Sequence, residues 1–329
     1  MNRQIIFLLL ALFCTPFSLK AEEITATPTE PKGKAIITIY GDFHSGFGKQ
    51  KDDRHFFLDR AYLGYQYKIG KELKIKAVID AGRSKEVNDM QRIAFLKDAS
   101  LTWQHQGLTL SAGLISTTQF STQNKFWKRR YIQKTMQDEY KFGSSADLGV
   151  SIRYAFTDWF SADAILTNGD GYKKIEFKDG LQYGLGLTFQ PLNGWIIRAY
   201  GSLNETDDKK LKDVYNVSFF TGYRFKIWSI GGEYNYMFND KNKSGNHRSG
   251  ASVFTDIQLN KHISIFGKWD YLLSDNHWNI ENDGMAGIIG ADFKLGKYVQ
   301  LSPNFRIWSP ADKDVKKEYY AYLNFSFAL

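Results

Sequence analysis

Cysteine is almost absent from this chain: Cys14 is the single thiol in 329 residues. It lies inside residues 1–21, which read as a secretory signal peptide. Arg3 supplies the positive start, Ile5 to Phe13 a short apolar core, and Ser18-Leu19-Lys20-Ala21 a small residue at the cleavage point. Bulky Phe13 argues against lipid modification of Cys14. Cleavage after Ala21 leaves no thiol, so no disulfide framework holds the exported protein together. Proline is scarce at 6 residues, and mean hydropathy is −0.40. A bundle of membrane helices, at about 20 apolar residues per span, is excluded. Charge of one sign is not in large excess either. Cleavage removes Arg3 and Lys20 and no acid, leaving 41 basic against 35 acidic residues. That dispersed balance excludes a nucleic-acid partner. No segment after Ala21 carries a sustained helical period.

What the chain has is 25 Phe, 19 Tyr, 8 Trp and 28 Gly, the profile of many strands separated by turns. Residues 22–34, with Pro28 and Pro31, read as a short mobile lead-in, too short for a plug. From 35 to 329 apolar and polar residues alternate with period two, as in Leu73-Lys74-Ile75-Lys76-Ala77 and Leu148-Gly149-Val150-Ser151-Ile152-Arg153-Tyr154. Tight turns sit near Gly70, Gln106, Asp158, Leu192, Lys226, Lys261 and Gly296, spaced by 36, 52, 34, 34, 35 and 35 residues. Longer polar segments fall between them and beyond the first and last. Seven short turns and eight longer loops predict sixteen strands. Short connections at one end and long ones at the other are the pattern of an outer-membrane barrel. Tyr154, Phe156, Trp159, Trp195, Phe225, Trp228 and Tyr298 gather at the short-turn ends, where an aromatic girdle belongs. A soluble β-sandwich would also alternate, but has no reason to segregate loops by length or to ring its turns with aromatics. The predicted fold is therefore all-β, a sixteen-stranded antiparallel transmembrane β-barrel. Tyr319 to Leu329 would close it onto Ile36 to Phe47. Pro303, mid-strand, predicts a bulge or a lost ladder bond.

With the apolar face on lipid, parity turns Arg60, Lys74, Lys76, Arg153, Arg198, Arg224, Lys268 and Arg306 inward, against Asp42, Asp80, Asp98, Asp147, Asp163, Glu233, Asp256, Asp270 and Asp292. The wall is charged and balanced, and a barrel of sixteen strands encloses water. Most of these charges are expected to pair across strands. The third loop differs. Its 52-residue interval carries 17 residues more than the common spacing of 35, and the excess lies in 119–144. There Lys125, Lys128, Arg129, Arg130, Lys134 and Lys141 face two acids, interleaved with seven large apolar side chains. Such a loop packs against something. The inner wall is the nearest candidate, with a subunit interface or a surface partner as alternatives. Folded inward, Lys125, Lys128, Arg129, Arg130 and Lys134 would set positive charge at a pore constriction.

Asp59-Arg60-Ala61-Tyr62-Leu63-Gly64, Phe126-Trp127, Arg129-Arg130-Tyr131-Ile132 and Ser144-Ser145-Ala146-Asp147-Leu148-Gly149 resemble the phosphate-selective O/P group of porins. The resemblance covers most of the mature chain in pattern. It implies an outer-membrane homotrimer with an inward third loop, passing small hydrophilic solutes by passive diffusion with an anion preference, phosphate included.

Other classes fare worse. No nucleophile–base pair can be placed, so no catalytic residue is assigned. His44, His55, His105, His247, His262 and His277 read as scattered over short turns and separate hairpins. No metal site and no cofactor are therefore expected. A non-conducting barrel with a binding or structural role remains the alternative, and the third loop alone could serve it.

Overall fold

A computed structural model describes residues 32–83, 92–174 and 180–329. The expected signal peptide, and the lead-in as far as residue 31, lie outside the described residues. The strands run β1 (Lys32–Gly46), β2 (Arg54–Ile69), β3 (Leu73–Arg83), β4 (Arg92–His105), β5 (Leu108–Ser116), β6 (Ala146–Ala155), β7 (Phe160–Thr167) and β8 (Gln182–Phe189). They continue through β9 (Trp195–Asn204), β10 (Val214–Phe225), β11 (Trp228–Phe238), β12 (Arg248–Gln258), β13 (Ile263–Ser274), β14 (Gly284–Leu295), β15 (Val299–Pro310) and β16 (Glu318–Ala328). Each pairs antiparallel with its chain neighbours, and β16 pairs β1 from Thr38↔Ala328 to Gly46↔Tyr320, closing the barrel. Closure leaves no unpaired edge. All seven expected turns fall between these strands, as do the longer loops, of which residues 84–91 and 175–179 lie outside the described residues. β1 starts at Lys32, three residues before the expected start of the barrel, because Lys32, Gly33 and Lys34 pair with Lys68, Tyr67 and Gln66. No helix among the described residues is long and apolar enough to cross a membrane, which says nothing of crossing by strands.

The alternation sorts side chains between two faces. Tyr215, Val217 and Phe219 are exposed, while Asn216, Ser218 and Phe220 between them are buried. The outward face is apolar along strand after strand, with Ile75, Val150, Leu185, Val253, Trp269, Ile289 and Leu323 exposed. Aromatics near the short turns join them, including Phe156, Trp159, Trp195, Trp228 and Tyr298. The buried side is the polar one, inverting the usual order of a water-soluble domain.

Three irregularities matter. β1–β2 shifts register between Tyr40 and Gly41, which leaves Asp59 as an extra residue. β3–β4 shifts between Val78 and Ile79, which leaves Lys97 as another. At Pro303 the ladder to β14 stops after Gly290↔Asn304 and resumes at Phe293↔Leu301 in the same register. Proline has no N–H to give there, and the Ser302 hydroxyl donates to the Ala291 carbonyl instead, at 2.8 Å. The bond is lost without a bulge.

Candidate functional site

The longest connection, 117–145, contains two short helices, α1 (Ser121–Trp127) and α2 (Met136–Glu139). Lys128 ends α1 in the left-handed conformation at φ 61°, turning the chain sharply at its C-terminus. The loop's apolar residues sit on an apolar patch of the buried wall face. Trp127 packs edge-on against Phe254 and Phe266, with ring centroids 5.2 and 5.9 Å away. Phe126 meets Phe220 at 5.6 Å. Tyr131, Ile132 and Ile288 complete this cluster. A second cluster joins Met136 and Phe142 to Met237 and Leu272. These wall residues leave a signal in the sequence. Phe219-Phe220, Val253-Phe254, Ile265-Phe266 and Ile288-Ile289 are apolar doublets, in which the second or first residue breaks the alternation. Each doublet puts one apolar side chain outside and one under the loop.

Cations of the wall hold the loop by its backbone. Arg198 donates to the Thr118 and Gln119 carbonyls at 2.9 and 3.4 Å. Arg224 donates to Phe126 O at 2.6 Å and Arg306 to Ile132 O at 2.9 Å. Lys268 Nζ reaches Lys134 O at 2.9 Å, and Arg248 reaches Tyr140 O and Lys141 O, each at 2.8 Å. From the other side, Glu233 accepts from the Met136 amide at 2.7 Å. Four of the eight expected lumen-wall cations, Arg198, Arg224, Lys268 and Arg306, are thus engaged with the loop. Arg198 is also forked onto Asp163 at 2.7 and 3.0 Å, and Lys268 donates to one oxygen of Asp270 at 2.7 Å. Among the other four, Arg60 pairs with Asp80 at 3.0 Å and Lys76 with Asp98 at 2.8 Å. Arg153 reaches Ser161 at 3.4 Å, and Lys74 stands opposite Lys68 in the ladder.

The expected loop cations divide. Arg129 is buried, 2.6 Å from Ser264 Oγ and within 3.4 and 3.6 Å of Asp256 and Asp292, so it anchors rather than presents charge. Arg130 is ion-paired to Asp138, and Lys134 lies 3.7 Å from Glu139. Burial opposes ionisation of Asp138, but Arg130 and Lys134 outweigh it and hold the carboxyl below its ordinary value. Lys125 and Lys128 are exposed. Partial burial, then Arg224 and Lys294, push the Lys128 ammonium below the ordinary lysine value, the mark of a cation-rich setting.

Two cavities flank the loop. One, of about 260 Å³, lies toward the short turns and is lined by Lys128, Arg129, Arg224, Lys226 and Lys294 against Asp256 and Asp292. The other, of about 440 Å³, lies toward the long loops. Arg60, Arg130, Lys134, Lys141, Lys173, Lys174 and Lys241 line it against Asp138, Asp170 and Asp240. The sequence reading missed Lys97. Its bulge frees it from strict parity, and its ammonium stands 4.2 Å from the centre of the Tyr172 ring and 3.0 Å from Ser145 Oγ. The signal was the adjacent charged pair Lys97-Asp98, as Asp59-Arg60 was for the other bulge.

The reading of the histidines as scattered is corrected. His44 and His55 are cross-strand partners on the β1–β2 hairpin, with ring centroids 4.3 Å apart. Asp53 lies beside both, and the ligand atoms of the three lie within 4.8 Å of one another. The register that joins them could not be read from local pattern.

No family model matches the sequence, and no curated protein is similar to it in sequence. Solved structures do match. The anion-selective porin from Comamonas acidovorans is 10% identical with a TM-score of 0.66, covering 91% of this chain and 100% of that one. Salmonella typhi OmpF, in a complex with daunomycin, is 11% identical at 0.68, covering 91% and 98%. The outer membrane channel DcaP of Acinetobacter baumannii is 11% identical at 0.64, covering 91% and 97%. The likeness is one of fold: this chain is a closed sixteen-stranded barrel of the porin type.

Proposed function

We propose that the protein is an outer-membrane porin, exported by the segment 1–21, through which small hydrophilic solutes diffuse passively. The outward apolar band supports a place in lipid, and the polar interior supports a water-filled path. The loop 117–145, seated on the interior face, is the constriction. The preference is a mild one for anions, with phosphate one candidate.

One observation carries the anion preference. Basic side chains outnumber acidic ones in the lining of both cavities beside the loop, seven to three in the larger, with Arg60 and Lys134 there paired to Asp80 and Glu139. Selectivity in a pore follows from its width and the charge that lines it. The barrel fold shared with solved channel structures supports transport rather than catalysis. Assembly as a homotrimer is part of the same proposal and rests on the family resemblance.

The test is single-channel recording in a planar bilayer across a KCl gradient. Discrete open steps reversing on the chloride side are expected. Lys128→Glu and Lys134→Glu, which change cations beside the cavities, are expected to move the reversal potential toward potassium. Arg129→Glu is a poor probe, because it would bury a third carboxylate beside Asp256 and Asp292. A folded barrel without open steps would favour the non-conducting alternative, a binding or structural barrel.

A further inference from the structure

We propose that His44, Asp53 and His55 form a binding site for a borderline divalent transition ion, with Zn²⁺ as the fit. His44 Nε2 and His55 Nδ1 stand 3.5 and 3.1 Å from Asp53 Oδ1. A tetrahedral zinc with bonds of about 2.0–2.1 Å has ligand atoms separated by about 3.3–3.4 Å. Two of the three separations already straddle that edge, and all three donors lie within 4.8 Å of one another. The third edge is no longer than 4.8 Å, so a side-chain adjustment of at most about 1.5 Å closes it and leaves a fourth position for water.

The surroundings are those of a ligand set. Asp42 Oδ1 sits 2.6 Å from His44 Nδ1. That contact lets the Asp42 carboxylate hold the ring with Nε2 facing Asp53, the carboxylate–histidine pairing that orients metal-bound imidazoles. Tyr320 donates to the other Asp53 oxygen at 3.1 Å and fixes its rotation. His44 is buried on β1, while Asp53 and His55 are partly open at the long-loop rim, so an ion has a path in. Two imidazoles and one carboxylate select Zn²⁺ or Cu²⁺ over Mg²⁺ and Ca²⁺, which want oxygen ligands. The site does not depend on conduction.

The experiment is calorimetric titration of the purified, folded barrel in detergent with Zn²⁺. One ion per chain is expected, undisturbed by a large excess of Mg²⁺. His44→Ala and His55→Ala should abolish it, and Asp42→Asn should weaken it about 10–100-fold. Heat-modifiable migration on gels checks that each variant is folded. His55 is half exposed, so His55→Ala retains the barrel even if the buried His44 variant does not. Titration with Cu²⁺ gives a second readout, since nitrogen ligation seen by electron paramagnetic resonance should be lost in His55→Ala. No Zn²⁺ binding by the folded wild-type barrel overturns the proposal. So does binding that survives His55→Ala, or equal competition by Mg²⁺.

Discussion

Trp127→Ala tests whether the third loop is a docked constriction. The Trp127 side chain is 2% exposed, wedged against Phe254 and Phe266, and its indole N–H donates to Gln133 O at 2.7 Å. Truncating a buried Trp costs about 3–5 kcal/mol. The barrel ladder does not pass through this side chain, so the loss falls on the docked state of the loop, not on the closed sheet. At about 1.4 kcal/mol per decade, the docked-to-undocked ratio falls by roughly two to four orders of magnitude. Single-channel records should show larger mean conductance and more open-state noise, and liposome swelling should admit larger sugars. Trp127→Phe keeps one aromatic ring in the pocket and forfeits the bond to Gln133 O, at about 1–3 kcal/mol, so its shift should be smaller. A Trp127→Ala barrel that is folded yet identical to wild type in conductance, noise and size limit would refute the docking argument.

Three further outcomes follow from the same contacts. Arg198→Ala strands the buried Asp163 without its partner and should lower barrel stability by about 3–5 kcal/mol in urea unfolding, with Arg198→Lys failing to restore the fork. A Cβ at Gly222 would lie 2.7–2.9 Å from three atoms of the Phe126 ring, so Gly222→Ala should raise channel noise; Gly267→Ala, whose nearest atom is 3.7 Å away, should not. The Asp138 carboxyl sits below its ordinary value, so its pairing with Arg130 is intact above about pH 4 and lost only as pH falls through the lower folded value. Current noise should therefore be flat from pH 7 to 5 and rise only in stronger acid.

The architecture was legible because it is periodic. Gly70, Gln106, Lys226 and Gly296 mark turns by local chemistry, and Gln106-Gly107, both with positive φ at 42° and 85°, make a two-residue hairpin turn of the expected kind. The roles of the charges were not legible. Parity told that Arg198, Arg224, Lys268 and Arg306 point inward, but not that loop carbonyls 79 to 174 residues away would meet them. Bulges at Asp59 and Lys97 defeat parity for one step, and only the adjacent charged pairs hinted at them. The His44–His55 pairing depends on hairpin register across a loop, which alternation alone does not fix.

The loop leaves the wall between β5 and β6, yet most of its anchors lie on β9 to β16; Tyr131 and Asn324 are 193 residues apart. A contact of such separation cannot form until the late strands exist and the sheet has closed around the loop. The Tyr131–Asn324 contact thus depends on β16, whereas the anchors on β9 and β10 do not. On the porin reading proposed above, a barrel whose β16 has yet to meet β1 would have a wider path than the finished one.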